Sequence, residues 1–101
     1  MGISVQLQDE NGVPIETLHD PTMILSRLLD CQDFSSTRCL GFIDPYGDTT
    51  FNRAQVDVLL SELAAIRDDT DAMTRAHLDD ITGLAIKAQA EPHLYLKFIG
   101  D

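Results

Sequence analysis

The chain has 101 residues, enough for one domain with a modest core, and its 44% hydrophobic and 24% charged content is that of an ordinary globular protein. Seventeen acidic residues against 7 basic ones give a formal charge of −10, which sets nucleic-acid backbone and anionic membrane surfaces aside and suits a basic protein partner. No apolar run approaches the ~20 residues that cross a bilayer, no signal peptide is legible, and two cysteines make no disulfide framework, so a reduced, cytoplasmic setting is expected.

The elements follow in chain order. Ile3, Val5 and Leu7 alternate with Ser4, Gln6 and Gln8, the period-two mark of a half-buried strand. A three-residue loop, Glu10-Asn11-Gly12, with Gly12 left-handed, predicts Leu7 opposite Ile15 and Val5 opposite Thr17. Pro14 lacks a backbone donor, so the return strand belongs at a sheet edge or begins irregularly. Asp20-Pro21 reads as an N-cap with proline at the first helical position, opening a helix of about three turns with the stripe Ile24, Leu25, Leu28 and Leu29. The stretch from Cys31 to Thr37 is aperiodic and reads as a loop with Phe34 tucked beneath it. Both cysteines are expected as small buried apolar residues.

Cys39 to Ile43 predicts a strand, Asp44-Pro45-Tyr46-Gly47-Asp48 a turn in which Gly47 takes positive φ, and Thr49 to Phe51 the returning strand of a second hairpin. Asn52 with Gln55 has the form of a capping box, and Val56, Leu59, Leu60, Leu63 and Ile66 or Arg67 carry a helix to about Asp68. Asp57 and Glu62 fall outside that stripe. Thr70 or Asp71 caps a third helix reaching about Ala90, striped by Thr74, His77, Leu78, Ile81, Leu84, Ala85 and Ala88. The short connection makes these helices an antiparallel pair, with Ala64, Ala65, Ala76, Ala85 and Ala88 allowing close approach. Leu94 to Ile99 is apolar on both sides, which places it centrally in the sheet. The expectation is one compact α+β domain over residues 1–101. Its helices cover one face of a mostly antiparallel sheet of four to five strands with three helices, in the order β-β-α-β-β-α-α-β.

Chemistry-bearing patterns are sparse. Asp44 and Asp48 flank a turn and are the candidate metal-binding carboxylates, but the glycine and the twelfth residue, Gln55, do not meet the EF-hand pattern. Asp44 at the head of a turn also commonly accepts backbone N–H groups. His19, His77 and His93 share no metal spacing with the cysteines, and His77, on an apolar stripe, reads as a hydrogen-bonded core residue. No glycine elbow, patterned base or phosphate loop accompanies Ser35, Ser36 or Cys39, so no catalytic residues and no cofactor are assigned. What remains is an acidic ridge on the helix pair: Asp57, Glu62, Asp68, Asp69, Asp71, Asp79 and Asp80, with Tyr46 at a loop tip as an aromatic anchor.

The run from Phe42 to Asn52, the Leu60-Ser61-Glu62-Leu63 segment and the closing Tyr95-Leu96-Lys97-Phe98-Ile99-Gly100-Asp101 motif resemble a group of small bacterial proteins of uncharacterised function. In size and acidity alone the chain is similar to immunity proteins of bacterial toxin systems, which bind a toxin domain and block its active site. That likeness implies an immunity factor occluding a basic toxin such as a nuclease. The alternatives are a small metal-assisted hydrolase using Asp44, Asp48 and Asp101, and a homodimeric module pairing through an exposed strand edge.

Overall fold

The computed structural model describes residues 2–20 and 22–100. Its elements are β1 (Ser4–Gln8), β2 (Pro14–Leu18), α1 (Ile24–Cys31), a 3-10 turn (Leu40–Phe42), β3 (Asp48–Phe51), α2 (Arg53–Arg67), α3 (Ala72–Ala90) and β4 (Tyr95–Ile99). The sheet is antiparallel throughout, in the order β2-β1-β4-β3. β4 therefore lies centrally, as its apolar character on both sides implies.

Among the described residues there are four strands, and the fifth expected from Cys39 to Ile43 is a 3-10 turn instead. The reason is a single carboxylate. Glu62 on α2 accepts the N–H groups of Arg38 (2.6 Å), Cys39 (3.1 Å) and Leu40 (2.9 Å). Three consecutive N–H groups converge on one acceptor only where the chain coils, because in a strand they alternate from side to side. Cys39, Leu40 and Ile43 are buried while Gly41 and Phe42 are exposed, a turn-like spacing and not an alternating one. Gly41 is required there, since a Cβ would lie 2.4 Å from the Phe34 carbonyl oxygen.

The first hairpin has the expected three-residue loop, closed by Gly12 donating to the Asp9 carbonyl at 3.1 Å, with Gly12 at φ 79. Its register departs from expectation. Gln8 lies opposite Pro14, but an irregularity at the next step sets Leu7 opposite Glu16 and Val5 opposite Leu18, so the Leu7–Ile15 and Val5–Thr17 pairs do not form. Skipping Ile15 brings Leu18 onto the Val5 face, where it packs against the core, and leaves Ile15 52% exposed. In the 44–47 turn Gly47 has no positive φ; a Cβ there would meet the Asp44 carboxylate at 2.7 Å.

α1 is shorter and starts later than its sequence suggests. Asp20 does not sit at the N-cap; Met23 does, in the left-handed region at φ 58. The fully buried Asp20 carboxylate reaches forward to accept the N–H groups of Ile24 (2.7 Å) and Leu25 (2.8 Å). It satisfies the helix start from outside the first turn. Pro21, the expected first helical residue, lies outside the described residues.

α2 opens with the capping box of Asn52 and Gln55, and α3 with Asp71 accepting the Thr74 N–H at 2.7 Å. The two helices run antiparallel: Arg67 reaches Asp79 near their connection, and the Arg53 Nε–H donates to the Gln89 carbonyl at 2.9 Å near their far ends. Ala85 and Ala88 are buried as anticipated, but Ala64, Ala65 and Ala76 are exposed and take no part in close approach. The core lies between these helices and one face of the sheet. Ile3, Val5, Leu7, Phe51, Leu96 and Phe98 meet Val56, Leu59 and Leu63 of α2 and Leu78, Ile81 and Leu84 of α3, each large side chain contributing about 1.5–3 kcal/mol on burial. Phe51 and Phe98 pack edge to face at 5.7 Å, tying β3 to β4.

Met23 carries a Cβ in a conformation that disfavours one. Met23→Gly is expected to raise stability by about 1 kcal/mol in urea unfolding, the relief of left-handed strain exceeding the added chain entropy.

Candidate functional site

The acidic ridge divides into carboxylates that hold the fold and carboxylates that do not. Arg67, on the last turn of α2, forks onto Asp79 of α3 through Nε to Oδ1 (2.6 Å) and Nη2 to Oδ2 (3.0 Å), and its Nη1 meets Asp68 at 3.1 Å. This guanidinium holds the Asp79 carboxyl below the usual carboxylate range, and Asp79 in turn raises the Arg67 pKa. Asp71 is lowered by the Thr74 backbone N–H it accepts as the cap of α3. Asp57 accepts from the Gln89 side-chain amide across the helix pair. Glu62 is not a solvated outer residue but the clamp on residues 38–40. That leaves Asp68, 84% exposed in its side chain, with Asp69 and Asp80 also exposed, as carboxylates facing solvent. Tyr46 stands 82% exposed at the tip of the 44–47 turn.

A second feature lies beside β3. The 3-10 turn runs alongside that strand: the Thr49 hydroxyl donates to the Phe42 carbonyl at 3.4 Å, and at the other end the Cys39 thiol donates to the Gln55 carbonyl at 3.3 Å. Between turn, strand and the start of α2 opens a groove of about 600 Å³ lined by Arg38, Cys39, Phe42, Phe51, Ala54, Val58 and neighbouring polar residues. Phe42, on its rim, is 72% exposed. Burial pushes the Cys39 thiol pKa up, and the nearby Glu62 carboxylate pushes it further, which disfavours the thiolate at this groove wall.

The remaining sequence candidates scatter. Asp44 accepts the Tyr46 N–H at 2.9 Å, while Asp48 pairs with Lys97 at 3.3 Å. Asp101 lies outside the described residues. Among the described residues no group of three His, Cys, Asp or Glu side chains is placed to hold a metal ion. Cys31 is exposed, contrary to expectation, and Cys39 is buried; both are free thiols. His77 is buried, yet its Nε2 has no hydrogen-bond partner and lies 3.9 Å from Asp20 Oδ1. His19 and His93 are exposed. No helix among the described residues is long and apolar enough to cross a membrane. No family model, curated protein or solved structure matches the chain.

Sequence reasoning does not reach the groove, because the 39–43 wall has the composition of a strand, nor does it identify Glu62 as a clamp. The one available signal was the 39–43 pattern itself, in which a glycine interrupts the apolar run.

Glu62→Ala is expected to cost about 2–3 kcal/mol in urea unfolding, since it orphans three N–H groups, and to make Cys39 reactive toward a thiol reagent alongside the already exposed Cys31. A second outcome concerns acid. Asp71 and Asp79 have depressed folded-state pKa values, so their contribution is present above the unfolded value of about 3.9 and is lost as pH falls through the lower folded values. A double Asp71→Asn, Asp79→Asn variant should therefore be less stable than the parent at neutral pH and show a shallower loss below about pH 4 in acid unfolding followed by circular dichroism.

Proposed function

We propose that this chain is a non-catalytic binding module that meets a basic protein through the acidic flank of the α2–α3 pair. The most concrete form is an immunity protein that covers the active site of a cationic toxin such as a nuclease. Support comes chiefly from Asp68 and Asp69, exposed side by side at the connection between the helices, with Asp80 exposed more than two turns along α3. Asp68 shares the Arg67 guanidinium at 3.1 Å but its side chain stays 84% exposed, and among the described residues the side chains of Asp69 and Asp80 take no partner from the fold. Arg67 holds the connection against α3, so the acids are presented on a rigid base and little side-chain order is lost when a partner docks. The mechanism is occlusion: carboxylates occupy the cationic surface that would otherwise receive an anionic substrate, and the excess of 17 acidic over 7 basic residues steers the encounter. Free thiols at Cys31 and Cys39 suit a reducing, cytoplasmic setting.

The test is calorimetric titration against a cationic toxin nuclease domain, taken from the neighbouring reading frame where that frame encodes one. Combined Asp68→Asn, Asp69→Asn and Asp80→Asn substitutions are expected to weaken binding by about tenfold or more, and added salt to weaken the parent complex. An affinity indifferent to both the substitutions and salt rules out the acidic flank as the contact.

A further inference from the structure

We propose that His77 and Asp20 form a proton-operated latch between α3 and the start of α1, closed when His77 carries its second proton and released when that proton leaves.

The latch begins with a buried charge. The Asp20 carboxylate is wholly shielded from solvent, and Gly2 packs so closely that a Cβ there would run into the Asp20 carbonyl. Its oxygens accept the N–H groups of Ile24 and Leu25 at 2.7 and 2.8 Å. Those donors are neutral, so they satisfy the oxygens without cancelling the charge, and a buried carboxylate remains costly until a cation stands beside it. Among the described residues, His77 is the one basic side chain within ion-pairing distance, its Nε2 3.9 Å from Asp20 Oδ1.

His77 has its own need for the proton. It is buried on the inner stripe of α3, and its Nε2 has no hydrogen-bond partner. In the neutral ring that nitrogen either sets a lone pair near the carboxylate or carries an N–H too distant for a hydrogen bond. The imidazolium instead supplies the missing positive charge. Charges on the surrounding elements are engaged elsewhere. β1 carries none, Lys97 of β4 pairs with Asp48, and Glu16 of β2 pairs with Lys87. On α2, Arg53 and Asp57 meet Gln89, Glu62 holds residues 38–40, and Arg67 holds Asp79. Arg75 of α3 donates to the Thr70 carbonyl, while His19, Arg27, Asp30 and Asp80 are exposed.

α1 is the element that responds. It has eight residues, packs chiefly on α3, and its N-cap, Met23, makes no side-chain capping bond. Asp20 therefore holds its first turn. With His77 neutral, the unbalanced carboxylate favours water, and a carboxylate that leaves its pocket releases the Ile24 and Leu25 N–H groups with it. The folded chain binds the His77 proton more tightly than the unfolded chain does. The latch is thus present in full below about pH 6.5, where an unfolded histidine is charged, and is lost as pH rises beyond it.

Amide hydrogen exchange of the full chain, followed by NMR between about pH 5.5 and 8 and corrected for intrinsic rates, reads the latch. Protection of Ile24 and Leu25 is expected to fall about tenfold or more as pH rises, while that of Val5 and Leu7 in β1 stays level. The His77 ring is expected to keep its proton to higher pH than the exposed His19 and His93 rings in the same spectra. His77→Gln keeps a polar side chain without a titrating group, and should make the protection of α1 independent of pH. Protection of Ile24 and Leu25 that stays flat across the range overturns the proposal. So does a His77 ring that loses its proton with or before the other two, or a fall in protection that persists in folded His77→Gln. Should that variant not fold, the two measurements on the parent decide the matter.

Discussion

The structure depends on the burial of one apolar sheet face beneath α3. β1 and β4 lie side by side at the centre of the sheet, and Val5, Leu7, Leu96 and Phe98 all point to the same side. α3 crosses them with Leu78, Ile81, Leu84, Ala85 and Ala88. The small residues on that stripe let the helix sit close to the sheet. Every other element is placed relative to this contact: α1 packs on α3, α2 runs back alongside it, and β2 and β3 extend the sheet to either side.

A few buried or half-buried polar groups then choose among backbone paths that hydrophobic burial alone would tolerate equally. Glu62 determines that residues 38–42 coil against α2 and do not pair with β3. That choice leaves the edge of β3 open and creates the groove. Asp20 acts similarly at the start of α1, where its carboxylate holds two helix N–H groups while Met23 takes a left-handed turn. In both cases one ionised acceptor gathers backbone donors that would otherwise be orphaned, and charge-assisted bonds of this kind are about twice as strong as neutral ones.

The acids of this chain therefore do not form one population. Glu62, Asp20, Asp71 and Asp79 are committed to backbone donors or to Arg67, Asp68 touches Arg67 from a largely exposed position, and Asp69 and Asp80 face solvent. A count of charges treats them alike, and a binding surface built from that count would include residues that cannot turn outward without loosening the fold. The surface proposed for a partner is correspondingly narrower than the ridge read from the sequence. The acid-free groove beside β3 stands apart from it in both charge and position.

Local patterns alone determined the alternating β1, the Gly12 loop, the Asn52–Gln55 capping box, the Asp71 cap, the α3 stripe and the central place of β4. Each is decided by residues within a few positions of one another, through backbone propensity, capping and period. Only the tertiary structure decided the coiling of residues 38–42, the slipped register at Ile15, the late start of α1 and the division of the acids into committed and free. Apart from the start of α1, where Asp20 reaches four and five positions ahead, these outcomes turn on side chains meeting groups from more distant parts of the chain. Glu62 lies 24 positions from Arg38, Arg67 lies 12 from Asp79, and Leu18 is drawn to a core that the last strand completes. The few-residue windows in which caps and turns are read contain both halves of none of those contacts.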